Sequence, residues 1–510
     1  MKFRSISLLL VSAFTMNAGG LFDWFGCIQK AFPTYQCIPA PVPQAQYAVR
    51  PVGSELSCVT SVNYYVGLQN AVNLVPAGAT IVVCPGNPGD VYAEQVLITK
   101  SLSLVGFPVK NGTTWTYPTV TIPSNFGYTT FPGGNPLYPF AASLQKDGNP
   151  VAAQIAAVGK CNVNISNIVV EGPGTNLSST LTTDHVMGIY YQNASGTITN
   201  NQVTEEFVPA DAGNVESGYG ILVESGGTTG SANVAISNNA VVDFQSAGII
   251  VDGASTTVQI TGNWVAQSYL GALQTYPAGI YFQNAAGSIC NNTVHNIKSS
   301  VPAPSFGIYD DASNGLTISE NVVTVVDAPI VIQSDTAEPA PGNANGTADH
   351  NTITSNTVSG TNYQFAYNST LTAFADGIDV CSNFNTISGN IVNPSATGTL
   401  NSGIHLDSAC PSYASPDLTS GNSNFVEFNL INGGVLVGIA EGGDNNNVWY
   451  NSVDGSSASQ AVYGGDYVGV KGAATTGNFN LDDVLNNPLG QSLNQLLEQI
   501  FAPQLLVSKH

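Results

Sequence analysis

Basic residues are nearly absent from this chain. Lys and Arg together number 11 in 510 residues, against 33 Asp and Glu, and the formal net charge is -22. Between Cys161 and Val470 the only basic side chain is Lys298. So negative a chain repels nucleic acid and anionic lipid, which excludes both as partners. Charge of either sign is scarce, at 9% of residues, yet hydrophobic residues reach 43%, so this is no disordered acidic tail. No internal run is long and apolar enough to span a bilayer. No Cys-x-x-Cys pair or Cys/His cluster marks a zinc site, and no metal site is assigned. Helical patterns are rare as well: Gly (53), Pro (28), Asn, Thr, Val and Ile dominate instead.

What is present begins with an export signal. Lys2 and Arg4 precede an apolar stretch, Ile6 to Met16, followed by small residues at Ala18 to Gly20. The expected organisation is a signal peptide over 1–20 and a Pro-rich lead-in over 21–60. A β-solenoid with an N-terminal cap helix follows over 61–480, then a C-terminal capping helix and tail over 481–510. The expected location is secreted or cell-surface. All eight cysteines lie beyond the signal, and an even count in an exported chain permits disulfides. Proximity pairs Cys27 with Cys37 and Cys58 with Cys84.

One motif recurs: Ile-x-x-Asn-x-Val. Copies begin at Ile198, Ile236, Ile260, Ile289, Ile318, Ile353 and Ile387, with degenerate copies at Val426 and Val448. Spacings between the Asn positions run from 22 to 39 residues, the mark of stacked coils of unequal loops. Each copy is short and β-branched and reads as a strand. A second short strand, opening Gly-Ile, follows most copies: Gly188, Gly220, Gly248, Gly279, Gly307, Gly377, Gly403 and Gly438. Pro329-Ile330 fills that slot once. Two or three strands per coil with no helix between them make a parallel solenoid that rises about 4.8 Å per coil. The repeated Asn is expected to stack from coil to coil as a structural ladder.

Open solenoid ends need covers. Tyr65, Leu68, Ala71, Val72 and Val75 predict a helix over Val62 to Val75, and Leu489, Leu493, Leu496, Leu497 and Ile500 predict another after Pro488. A helix with Gln-x-Ala, then "PAGATIVVCPG", a Tyr and "ITKSLSLVG" resembles the opening of the right-handed parallel β-helix proteins, the pectin-lyase-like superfamily. The Ile-x-x-Asn-x-Val copies resemble its PbH1 repeats over about four-fifths of the chain. The resemblance implies an all-β right-handed parallel β-helix, secretion and polysaccharide chemistry. It also admits adhesins and other non-catalytic rods.

Aligning the Gly-Ile strands assigns a face to each position. Two positions after Gly, an outward column holds Tyr190, Tyr281, Tyr309, Asp379 and His405; four after, another holds Asp311, Cys381 and Asp407. The column between them is apolar except at Asp310 and Glu441. A core carboxylate at Asp310 requires either a bulge that re-aims it or a shifted pKa. The gap before the Gly-Ile slot varies from 6 residues (Val323 to Pro329) to 19 (Val358 to Gly377), so long loops wall this face.

Tyr190, Tyr281, Tyr309 and Asp311 are the candidate substrate-binding residues, with Tyr281 and Tyr309 read as a sugar platform or as a cross-strand aromatic ladder. Asp379, His405 and Asp407 are the candidate catalytic residues. Strand geometry places the two carboxylates about 8 Å apart at Cα, the spacing of an inverting glycosidase pair, with His405 tuning either. Cys381 and Cys410, on neighbouring coils, form a candidate disulfide beside them. "YDD" at Tyr309 to Asp311 resembles the polygalacturonases faintly, but their Asn-Thr-Asp and Arg-x-Lys motifs are absent, and their site is not carried over. Asp184-His185, His295 and Asp349-His350 read as turn or surface groups. Uronate lyases and the methylesterases of this superfamily use Arg or Lys, and Arg50 is the only arginine after the signal. Calcium is the one cofactor the acidic residues leave open, through a Ca-dependent lyase. The leading expectation is therefore binding and hydrolysis of a neutral or weakly charged polysaccharide or cell-surface glycan. The alternative is a non-catalytic surface rod.

Overall fold

The structure is a computed structural model. It describes residues 46–55, 58–59, 63–111, 114–131, 142–143, 145–146, 149–174, 185–207, 218–226, 230–267, 277–298 and 304–334. It further describes 347–360, 376–393, 400–407, 421–432, 435–453, 460–464, 474–476 and 479–480. The expected signal peptide, the C-terminal capping helix, Cys27, Cys37, Asp184 and Cys410 lie outside these residues.

Each coil repeats one path. Ile289 lies in a strand (Ala286–Cys290) of sheet I, Asn292 turns the corner, and Val294 sits in a short strand (Thr293–His295) of sheet II. The chain then enters sheet III at Phe306–Asp311 and returns to sheet I at Thr317–Ser319. Successive coils pair in parallel in all three sheets, Ile289 with Ile318, Val294 with Val323 and Ile308 with Ile330. Among the described residues sheet I has 15 strands and sheets II and III have 13 each. The chain is thus an all-β, right-handed parallel β-helix, as the sequence reading expected. Its core is the stack of these Ile and Val side chains, all fully buried.

The motif Asn is the ladder anticipated from its turn position. Asn263, Asn292 and Asn321 show the pattern. The backbone N–H and Nδ2 of each donate to the Oδ1 of the next at 2.9–3.0 Å, and Nδ2 also donates to an Ile carbonyl of an adjacent coil. A second ladder, Asn351, Asn385, Asn424 and Asn446, lines the corner from sheet III back to sheet I.

The Gly-Ile column has a steric cause. A Cβ on Gly279 would stand 2.3 Å from Val294 Cγ1 and 2.7 Å from the Gly307 carbonyl oxygen, and Gly220, Gly248 and Gly377 face the same two obstacles. Sheets II and III approach closely at that corner in these coils, while Pro329 fills the slot in another.

At the N-terminal end the expected helix is shorter than the apolar spacing implied. Asn63–Val66 is a strand of sheet I, and the helix covers only Leu68–Leu74. Tyr64 and Tyr65 favour the extended chain, and Gly67 at φ 83° ends it. The helix buries Leu68, Ala71 and Val72 in the common core, and the Glu94 carboxylate accepts from its Leu68 and Gln69 N–H groups. Tyr47–Arg50, read as lead-in, is a sheet I strand between Asn63–Val66 and Ala79–Val83. The Cys58–Cys84 disulfide expected from proximity is present.

Candidate functional site on sheet III

Sheet III carries the columns predicted to face outward. They do face out of the core, but most of them are covered. Met187, Tyr190, Leu222, Ile250 and Val331 pack in a second apolar cluster distinct from the core. Tyr190, expected to be an exposed platform, is fully buried. Its hydroxyl donates to Glu224, and Gln192 Nε2 donates to the same carboxylate oxygen at 2.8 Å.

The sequence assigned no cation to this face, and the structure corrects that. Lys146, remote in sequence, brings its Nζ to 2.6 Å from Asp252 Oδ2 and 3.7 Å from Glu224 Oε2. Burial raises the Glu224 pKa, and the ammonium and the Tyr190 hydroxyl oppose that rise. Nothing in the local pattern around Lys146 announces this contact, which spans 106 residues of sequence.

Midway along the face Tyr281 and Tyr309 stack, with ring centroids 5.1 Å apart and planes within 7°. Phe306 stacks on Tyr309 at 4.7 Å. Both tyrosines are half-buried, and Tyr281 Oη donates to Asp311 Oδ2 at 3.0 Å. They form the cross-strand ladder and remain partly exposed. Asp310 points into the core with unbroken register, paired beside Phe282 and Ile332, so no bulge re-aims it. Ser313 N–H and Asn351 Nδ2 donate to its two oxygens, and burial holds its pKa well above the usual carboxylate range. It is a buried carboxyl bonded to the corner ladder, not a surface group.

Two and three coils on from Tyr309, at Asp379 and His405, the face turns polar. Asp379 and His405 are directly paired across adjacent strands, as the alignment required. His405 Nδ1 lies 3.2 Å from Asp376 Oδ2 and 3.8 Å from Asp379 Oδ1. Ser402 donates its N–H, at 2.8 Å, and its hydroxyl to the other oxygen of Asp376. Asp376, Asp379 and Asp407 are buried, and His405 is half-buried. Sequence reasoning missed Asp376 and Ser402 because they stand before the Gly, where the strict alternation breaks. One atom from each of Asp376, Asp379 and His405 lies within 4.8 Å of the others, which is metal-ligand spacing, but hydrogen bonding to His405 and Ser402 already accounts for Asp376. Cys381, on the Asp379 strand, is disulfide-bonded, and its expected partner Cys410 is outside the described residues. Among the other histidines, His185 is buried against Tyr219, His295 accepts or donates at Thr324, and His350 is an exposed turn residue.

No family model matches the chain, and no curated protein matches it in sequence. Solved structures do match it in fold. The Dettilon tailspike protein aligns with a TM-score of 0.45 and 15% identity, over 76% of this chain and 62% of the tailspike. This chain therefore spans less than two thirds of that protein's length. A DFA-IIIase from Arthrobacter chlorophenolicus A6 aligns at 0.40 and 12%, over 72% and 84% of the two chains. A GH136 lacto-N-biosidase from Eubacterium ramulus aligns at 0.44 and 11%, over 85% and 68%. These likenesses are of fold alone.

Proposed function

We propose that the outer face of sheet III binds a neutral or weakly charged glycan and that its polar end hydrolyses it. The observation that carries this reading is His405, held by Asp376 and set beside Asp379 on the outer face of the helix. An imidazole fixed by one carboxylate and facing another is the arrangement of acid–base catalysis. In the proposed reaction, one of Asp379 and Asp407 takes a proton from water as it attacks the anomeric carbon. The other protonates the departing glycosidic oxygen, and the configuration inverts. Asp376 is a positioning residue that fixes the His405 ring, and His405 relays protons. Tyr281 and Tyr309 offer partly exposed rings to sugar along the approach.

Lyase chemistry finds no support in Lys146. It is bound to Asp252, four coils from Asp379, or about 19 Å at the strand spacing. The Cys58–Cys84 disulfide supports an extracellular location. The test is a panel of neutral and uronic glycans, with and without calcium, scored for reducing ends and for unsaturated products. Asp379→Asn and Asp407→Asn should each lower turnover by at least about a hundredfold. Unchanged turnover in either removes that residue from the pair, and unsaturated products make the protein a lyase. One observation favours a non-catalytic rod instead: Tyr190, Leu222, Ile250 and Val331 leave little of the face open. No turnover of any glycan by wild type decides for it.

A further inference from the structure

Sheet I carries a feature that the sheet III reading does not use. Among the described residues every exposed Phe, together with Trp449, falls within three successive coils of its C-terminal half. Phe384 is 52% exposed, Phe425 47%, Phe428 40% and Trp449 37%. His350 stacks on Phe384 at 5.2 Å along one edge of the sheet, and Phe428 stacks on Tyr450 at 5.5 Å along the other. Phe425 opens the strand between those edges, and Trp449 pairs beside Glu427 one coil on. The six rings cross the sheet diagonally over four coils.

Their backbone conformation shows that the fold does not ask for them. Phe384, Phe428 and Tyr450 sit at φ 59°, 57° and 53°, in the left-handed region. For Phe428 and Tyr450, earlier coils fill the slot before the ladder Asn mostly with Asn or Gly (Asn200, Asn238, Gly262, Asn291, Gly389), and with Glu320 and Ser355. For Phe384, the slot before the second ladder's Asn holds His350, Ser423 and Asn445 in the other coils. An aromatic residue there costs about 1 kcal/mol relative to Gly, and it exposes a ring to water as well. Strain held at an exposed aromatic row points to a ligand.

We propose that this diagonal row is a second glycan-binding surface, which takes a neutral oligosaccharide by ring stacking. The charge of the face selects that occupant. Glu427, Asp349 and Asp444 flank the rings, and no Lys or Arg lies between Lys298 and Val470. Nucleic acid, anionic lipid and uronate polymers are therefore repelled. Thr386, Ser388 and Asn447, on the same outward columns, offer hydroxyl and amide groups to sugar hydroxyls. Flat apolar rings interleaved with neutral hydrogen-bonding groups match the two kinds of surface a hexose presents. The proposal does not rest on catalysis at sheet III.

The test uses the full chain in an Asp379→Asn background, so that binding is read whether or not sheet III cleaves. The probes are cellohexaose, laminarihexaose, mannohexaose and chitohexaose, followed by calorimetry and tryptophan fluorescence. At least one should bind and alter Trp emission, and Trp449→Ala or Phe425→Ala should weaken it about tenfold. The decisive variant is Phe428→Asn with Tyr450→Asn. It relieves the left-handed strain, so its melting temperature should hold or rise while binding falls, which separates lost function from lost fold. Absence of binding to every probe overturns the proposal, as does binding unchanged in the double variant. Concentration-dependent dimerisation of wild type that the double variant abolishes also overturns it, by making the row a protein interface.

Discussion

Glu206 is a fully buried carboxylate on sheet II, and neither of its oxygens has a hydrogen-bond partner among the described residues. Burial, with Glu205 beside it, raises its pKa well above 4.5, which favours the neutral acid in the folded state. The sign of the linkage follows. The unfolded chain ionises Glu206 as pH passes 4.5 while the folded chain does not, so the folded state loses stability relative to the unfolded one as pH rises from there. Asp327, raised to about 6 by burial, acts the same way between its unfolded value of 3.8 and 6. Glu206→Gln keeps the shape and removes the proton equilibrium. Its melting temperature should match wild type near pH 4 and exceed it by a margin that widens toward pH 8. A difference that is flat with pH would mean Glu206 is ionised in the fold. Asn263, Asn292 and Asn321 pose the opposite case, since their amide groups are hydrogen-bonded. Asn292→Ala strips the acceptor from Asn263 N–H and Nδ2 and the donor from the Ile260 carbonyl, all buried. It should destabilise by about 2 kcal/mol or more in denaturant titration. Asn314→Ala removes an exposed acceptor that water replaces and should cost less than about 1 kcal/mol.

At the scale of the element, the strands and their register were legible because each obeys a local rule. Ile and Val recur at core positions, Asn at the corner and Gly where the corner is tightest, so aligning them sets Asp379 beside His405 without any coordinates. The misreadings also have local causes. Tyr65 and Leu68 fit a helical face, yet Tyr64 and Tyr65 pair in a strand, because sheet I had an edge to extend. Alternation failed at Gly, where two successive residues face inward, and this hid Asp376 one position earlier. Lys146 was invisible because its contact depends on a chain reversal far from the repeat. The exposure of Tyr190 was misjudged because period 2 shows which way a side chain points and not what lies over it. The Gly column gives this scale its own prediction. Gly279→Ala must push Val294 or the Gly307 carbonyl aside and should destabilise by about 1–3 kcal/mol, read as an earlier denaturant midpoint with unchanged slope. Gly315, with nothing within 4 Å of its added Cβ but φ 70°, should respond through backbone strain alone. Gly315→Asn should therefore be nearly neutral where Gly315→Val is not.

At the scale of the molecule, the scarcity of cations returns as a property of the whole surface. A chain of net charge -22 is self-repelling when folded, and coils stacked at the strand spacing bring carboxylates of successive turns close together. The interior is insulated from this, since its order comes from apolar stacks and neutral amide ladders rather than ion pairs. Among the described residues, Lys146 with Asp252 and Glu224 and His405 with Asp376 and Asp379 are covered clusters of ionisable groups on the outer face of sheet III that bulk salt reaches poorly. Screening should accordingly stabilise the fold instead of weakening it. The Debye length falls from about 30 Å at 0.01 M to about 10 Å at 0.1 M, which is the span of two coils. Most of the rise in melting temperature should therefore come below about 0.15 M NaCl, and NaCl and KCl should give the same curve. A flat response over that range would show that the acidic residues are spread too far apart to interact. A gain that is linear to 1 M and larger for sulfate would assign it to surface exclusion of the salt instead.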